Sequence, residues 1–309
     1  SGQFRVEEFR LPVMEGRIEP VDGKKPLVAA TSLPTAVQVN YVAGGGASGL
    51  PVRVSALVRP KWVNFADYDG FSFSPPQKSN EAEGDAQDNN DEGARVVADK
   101  LPLTLDRSGA GQVVVEPIAP APAPRELLLE ASYADPNGEV QTLRSTQTLW
   151  PSQVIAGLKT EGWASVGQKI RFQALALDLS GKAQADVAVE VKAVSRITTT
   201  SRKRMVGGFY TYDNKTETKD LGTVCSGKSD SRGLLLCEAR LSDAGQVELI
   251  ATAKDAQGRP SLAATSVYVT RQGELWFGGE DHDRIDLLPE KKNYQPGETA
   301  KFQVRMPFR

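Results

Sequence analysis

The chain has 309 residues, 39% of them hydrophobic and 25% charged, with a formal net charge of −2. That balance is ordinary for a water-soluble protein and argues against a general nucleic-acid binder, which needs a basic excess. No apolar run approaches the roughly 18 residues that cross a bilayer as a helix, and no signal peptide opens the chain.

From the amino terminus onward, short alternating segments dominate. Val37, Val39 and Tyr41 alternate with Gln38 and Asn40, and Val52, Val54 and Ala56 alternate with Arg53 and Ser55. Period-two placement lays one face of a strand on a core and the other in water. Between these strands, residues 44–49 read GGGASG and match the dinucleotide fingerprint G-x-G-x-x-G. That fingerprint needs a following helix whose N-terminus receives the pyrophosphate. Here another strand pattern follows, so the glycines are expected to form a hairpin loop and no cofactor is expected.

Residues 78–94 carry six acids, no base after Lys78 and almost no bulky apolar side chain, the composition of an exposed loop. Residues 88–99 resemble a calcium loop, with Asp88, Asn90 and Glu92 alternating, Gly93 sixth and Asp99 twelfth. The twelfth position calls for a bidentate Glu and the flanks are not helical, so a solvated acidic loop is the expectation. Val113 to Val115 follow a glycine-rich turn at 108–111. Residues 117–124, PIAPAPAP, form a stiff extended connector between strands.

Farther along, Val187, Val189 and Val191 alternate with Ala188, Glu190 and Lys192. Residues 196–220 then mix Arg196, Arg202, Lys203 and Arg204 with Phe209, Tyr210 and Tyr212. Interleaved bases and aromatics can bind single-stranded nucleic acid, but they also describe a long exposed hairpin, which fits the acidic total better. Asn214, Lys215 and Thr216 form a glycosylation sequon, relevant only in a eukaryotic secretory pathway. Cys225 and Cys237 flank a polar, turn-rich segment between two strand patterns. That arrangement permits a cross-hairpin disulfide and an oxidising compartment; the other reading is two reduced core thiols. His282, the single histidine, sits among Glu280, Asp281, Asp283 and Asp286. A charged loop is the expectation there rather than half a metal site. No Ser–His–Asp triad, Cys–His pair, G-x-S-x-G elbow, P-loop or H-E-x-x-H motif is indicated.

The chain also repeats itself. Residues 126–150 and 246–270 are versions of one another, with Asp135 and Gly138 recurring as Asp255 and Gly258. Gly167 to Phe172 recurs as Gly297 to Phe302. Repeats of about 120 residues have the size of self-sufficient domains, not of solenoid units. The expected organisation is a first module at 1–150 with an acidic insertion at 78–94, a second at 151–270 and the start of a third at 271–309. Net charge is −6 over 1–150, +4 over 151–270 and zero over the rest. About seven short strands per module, punctuated by Gly, Asp and Asn turns, predict an all-β chain of tandem antiparallel β-sandwiches. The third copy has barely begun at Arg309, so the chain is expected to be a piece of a longer protein.

Several segments carry a family likeness. FRVEEFRLP at the start resembles the first strand of a macroglobulin-like domain, a sandwich of the immunoglobulin and fibronectin type III kind. VQVNYVAGGGASGLPVRVSALVRP resembles the following strand pair. LPEKKNYQPGETAKFQVRMPF, with Tyr294, Pro296, Gly297 and Phe302, is similar to the opening of another such domain. WFGGEDHDRIDLLPEKKNY resembles, more narrowly, bacterial alpha-2-macroglobulins.

The resemblance implies a periplasmic, often membrane-anchored, protease trap, in which a cut bait segment triggers capture by a thioester. The family's thioester motif is C-x-E-Q, whereas Cys225 begins CSGK and Cys237 begins CEAR. No catalytic, cofactor or metal residue carries over. No bait region is evident, and 78–94 reads as an ordinary insertion. The expected function is a non-catalytic structural piece of such an inhibitor, whose partners are proteases met by the whole parent, and other envelope proteins. Nucleic acid and direct membrane insertion are not expected. A tandem-sandwich adhesin or envelope interaction module is the alternative, with an enzyme such as a glycosidase a distant third.

Overall fold

The computed structural model describes residues 12–76, 93–160, 162–204, 210–270, 286–289 and 294–305. Among the described residues there are 18 strands and no helix. They fall into two compact units. The first combines Ser1–Lys61 with Asn89–Trp150, and the second combines Trp62–Asp88 with Pro151–Arg309.

The first unit holds β1 (Met14–Pro20), β2 (Leu27–Val28), β3 (Leu33–Tyr41), β4 (Pro51–Pro60), β5 (Arg95–Thr104), β6 (Ala110–Val115), β7 (Arg125–Ala134) and β8 (Val140–Trp150). A three-stranded sheet runs β1-β3-β6 and a five-stranded sheet runs β2-β8-β7-β4-β5. Alternation builds both. Val37 and Val39 of β3 and Val52, Val54 and Ala56 of β4 are buried, whereas Tyr41 has turned outward and is 38% exposed. The two inner faces share one core, to which Leu127 and Leu129 of β7 and Val115 of β6 also belong. Each such fully buried Leu or Val contributes about 1.5–3 kcal/mol relative to exposure.

The second unit holds β9 (Val154–Thr160), β10 (Trp163–Ser165), β11 (Lys169–Asp178), β12 (Ala188–Arg204), β13 (Tyr210–Lys228), β14 (Leu234–Arg240), β15 (Gly245–Lys254) and β16 (Pro260–Thr270). Its sheets run β14-β11-β9 and β10-β16-β15-β12-β13. Phe172, Leu158, Val191 and Leu249 lie in the shared core between them.

Strand for strand, the two units have one topology. Counting from the first strand of each, both join strands 1, 3 and 6 in one sheet and 2, 8, 7, 4 and 5 in the other. In both, the second strand pairs parallel to the eighth. The repeat at 126–150 and 246–270 is the hairpin of strands 7 and 8, with identical bounds after a shift of 120 residues. The second echo resolves into a turn. Gln168 N donates to Ser165 O and Glu298 N to Gln295 O, with Gly167 at φ +75° and Gly297 at φ +92°. On either side of the second of these turns, β17 (Asp286–Pro289) and β18 (Phe302–Arg305) pair antiparallel, as β9 pairs with β11.

One turn chemistry recurs at five places: D-x-x-G beginning at Asp106, Asp135, Asp178, Asp230 and Asp255. In each, one carboxylate oxygen accepts backbone N–H groups two and four residues on, at 2.8–3.0 Å. The glycine three residues on has φ between +74° and +86°, a conformation that costs a side chain with a Cβ about 1 kcal/mol or more. The turn after β3 occupies the same topological place as the turn after β11 but has Tyr41 in place of Asp178. It closes through Tyr41 N to Gly45 O and Gly44 N to Tyr41 O, both 2.9 Å. Glycines at 44 and 45, φ +107° and +91°, make that turn without an anchoring carboxylate. The GGGASG segment thus folds the chain back on β3, through Asn40 opposite Gly46, before β4 begins in the other sheet.

Besides Tyr41, two further expectations change. Residues 62–76, placed by sequence in the first module, group with the second unit. The disulfide expected across a hairpin instead joins two sheets. The opening FRVEEFRL, residues 78–92 of the acidic segment and His282 with Glu280, Asp281 and Asp283 lie outside the described residues, whereas Asp286 begins β17. Of the described part of the calcium-like segment, residues 93–99, the last five belong to strand β5. The 117–124 segment connects β6 to β7, as its composition predicts.

Asp255 gives the sharpest test of the turn. Burial pushes its carboxyl up, but the N–H groups of Gln153, Arg259 and Gln257 and the Arg259 guanidinium outweigh that and hold it at about 2. A depressed folded pKa means stability that is present above the unfolded value of about 3.9 and is lost as pH falls toward 2. Asp255→Asn should therefore lower the urea-unfolding free energy of the second unit by about 2 kcal/mol at pH 6. The gap between wild type and variant should close between pH 4 and 2.

Candidate functional site

Strands β12 and β13 form the most distinctive feature of the second unit. They pair from Ala188 opposite Lys228 to Arg204 opposite Tyr210. The neighbouring β15 accompanies β12 only as far as Arg196 opposite Gln246. Beyond that rung the two strands continue as a two-stranded arm, paired with each other. The expected hairpin at 196–220 is therefore present in the backbone. Two register shifts, between Val191 and Lys192 and between Ala193 and Val194, precede the arm. They insert Val224 and Leu221 as extra residues on β13, both of which pack against the core. Bulges of this kind bend a strand and increase its twist.

At the arm's base, Cys225 and Cys237 are bonded, with Cα atoms 6.0 Å apart. Cys225 lies opposite Val191 on β13, and Cys237 lies opposite Phe172 on β14. These are edge strands of different sheets, so the bond closes one side of the sandwich. The chain reaches β14 through the Asp230 turn, which carries it across the gap rather than back along β13.

Where β12 leaves β15, Arg196 and Glu248 form a buried ion pair. Arg196 Nη2 and Nε lie 2.6 and 3.0 Å from Glu248 Oε2, and the side chains are 8% and 3% exposed. A buried charge requires a matched partner, because the low-dielectric interior penalises it otherwise.

Sequence reading missed residues 62–76 entirely. This strap leaves the first unit after β4 and seats on the second. Ser72 and Leu158 exchange backbone hydrogen bonds of 2.8 and 2.9 Å, on the free edge of β9. Ser72 Oγ donates to Ala264 O at 2.7 Å, and Ala264 N donates to Ser74 O at 2.7 Å, on β16. The strap therefore bridges the first and last strands of the sandwich. Phe73 is 5% exposed and touches the space above Gly157, where an added Cβ would come within 2.8 Å of its ring. Phe65 packs edge-on against Phe73 at 5.1 Å, and Lys159 Nζ sits 5.5 Å from the Phe71 ring centre while donating to Asp69 O. The signal available in sequence was W-V-N-F-A-D-Y-D-G-F-S-F, four spaced aromatics after Trp62.

Chemistry is otherwise sparse. A groove of about 460 Å³ in the first unit is lined by Arg17, Glu19, Gln38, Asp106 and Gln112 among others. Arg17 is bonded to Glu19, and Asp106 is committed to its turn. Among the described residues, no group of three His, Cys, Asp or Glu could hold a metal. The carboxyls displaced from their ordinary values, at Asp106, Asp178, Asp230, Glu238 and Asp255, are all held low. A general acid at neutral pH needs the opposite displacement, so these groups serve structure.

No family model matches the chain. It is 23% identical over 315 residues to an alpha-2-macroglobulin homolog of Nostoc sp., covering 100% of this chain and 16% of that protein. It is 21% identical over 320 residues to the alpha-2-macroglobulin of Escherichia coli, covering 98% and 18%. The chain thus spans less than a fifth of the length of these curated relatives. Among solved structures, it matches Salmonella alpha-2-macroglobulin reacted with methylamine at TM-score 0.58 and 20% identity, over 98% of this chain and 19% of that one. It matches trypsin-activated Escherichia coli alpha-2-macroglobulin at TM-score 0.51 and 19% identity, over 98% and 20%. The likeness to bacterial alpha-2-macroglobulins therefore runs through the whole chain, and the all-β sandwich fold is shared with them.

The ion pair at the root of the arm yields a test. Glu248→Ala should destabilise the second unit by about 3 kcal/mol, because it strips the carboxylate from a buried guanidinium. Adding Arg196→Met should recover most of that loss in urea denaturation, although either group alone is costly to remove.

Proposed function

We propose that this chain is a structural segment of a bacterial alpha-2-macroglobulin-like protease trap. Its sandwiches act as shell pieces and perform no reaction. The observation that carries the reading is the match to alpha-2-macroglobulins over essentially all of this chain, combined with two sandwiches of one topology and the opening pair of a third. The low-held turn carboxylates and the disulfide support a structural role rather than a catalytic one. Bait and thioester elements then lie elsewhere in the parent, because CSGK and CEAR lack the C-x-E-Q pattern. One solved relative is described as trypsin activated and another as activated by porcine elastase, which supports proteases of that kind as the parent's partners. A disulfide joining two sheets fits an oxidising compartment, and the periplasm is the proposed location.

The test uses the full-length parent. Mixed with trypsin, it should be cut, change its hydrodynamic radius and shield the protease from a protein substrate. Deleting residues 12–305 should abolish the shielding. A parent that is cut but neither changes shape nor shields the protease rules the reading out.

A further inference from the structure

We propose that the β12–β13 arm clasps the sandwich that begins at β17, as the 62–76 strap clasps the sandwich that begins at β9. The inference rests on the reading that a third like module continues from β17 and β18. It does not depend on whether the parent traps proteases.

Strap and arm occupy one topological position. Each is the connection between the fourth and fifth strands of its module: residues 61–94 join β4 to β5, and the arm joins the framed parts of β12 and β13. Both connections follow a pair of register shifts. These fall around Ala56 in the first module and around Lys192 and Ala193 in the second. The first connection seats on the free edge of β9, the opening strand of the next module, and reaches β16, its last. The structural equivalent of β9 in the third module is β17. Leu158 lies opposite Ala174 and Leu287 opposite Val304, each pair flanking the equivalent glycine turn, with Ala174 and Val304 both seven residues after its glycine. Leu287 is therefore the counterpart of the residue that Ser72 bridges.

The arm has the reach and composition for this role. Eight residues beyond Arg196 extend about 26 Å at about 3.3 Å each. Thr198, Thr199 and Thr200 in β12 and Tyr210, Thr211 and Tyr212 in β13 are strand-favouring types, and the strap is likewise aromatic. Among the described strands, β13 has a neighbour on one side alone. A long open edge is a template for another strand, and natural proteins cover or blunt such edges. The seam between the first and last strands of a sandwich is the site on which the one observed clasp sits.

Hydrogen exchange in the full-length parent reads this directly. In the wild type, the amides of residues 211–217 that point away from β12 should exchange at least about tenfold more slowly than in an unstructured chain. A variant with Thr198 joined to Thr216 through Asn-Gly should raise exchange at Leu287 and Leu288 by at least about tenfold, with Leu158 unchanged. Phe73→Ala supplies the matching control, raising exchange at Leu158 and Ala264. Unprotected outward amides in the wild type overturn the proposal. So does unchanged exchange at Leu287 and Leu288 in the shortened arm. Should the shortened variant also lose protection in β9 and β16, the wild-type pattern decides by itself.

Discussion

A carboxylate oxygen that accepts two backbone N–H groups of its own turn is the interaction on which both sandwiches depend. A β-sandwich must reverse its chain every ten residues or so, and each reversal leaves amides that no ladder satisfies. The aspartate takes the two that point inward, and the glycine beside it adopts the positive φ that lets the strands leave at the right twist. Five of six equivalent positions in the two units use this device. The sixth, at Tyr41, uses neighbouring glycines instead. Asp255 goes further, since its second oxygen accepts from Gln153 N, at the start of the second sandwich, and from Arg259. One residue thereby ties the last hairpin of the unit to its first strand.

Turns hold strands in register but do not hold two sheets together at their open sides. In the second unit, one side is closed by Cys225 and Cys237 between edge strands. The other is closed by the strap, whose Ser72 bonds to both sheets and whose Phe73 fills the space that Gly157 leaves open. A sandwich with both seams shut resists shear between its layers.

Period-two alternation located the core strands correctly because burial on one face is a local constraint: Val52, Val54 and Ala56 declare their face whatever the rest of the chain does. The repeat at 120 residues was likewise legible, because a hairpin and its turn form a contiguous segment. Tyr41 was misread because alternation cannot tell where a strand stops facing a core. The disulfide's true partners in the fold were hidden for a related reason. The thirteen residues from Cys225 to Cys237 look alike whether the chain doubles back in one sheet or crosses to the other. The strap was hidden more deeply. Its aromatics Trp62, Phe65, Tyr68 and Phe71 recur every third residue rather than at the period of two that marks a strand, and the surface that receives them is built from residues about 85 to 190 positions away.

Sequence alone settled what depends on near neighbours: the all-β class, the modular repeat, the turn positions and the absence of a C-x-E-Q thioester in this segment. Tertiary structure alone decided which sheet each strand joins, that Cys225 and Cys237 span two layers, that Arg196 and Glu248 are buried together, and that residues 62–76 belong to the second sandwich. The division follows from range. Hydrogen bonds within a turn and the alternation of a strand act over a few residues. Sheet membership and seam closure are chosen among edges that meet only after the whole chain has packed.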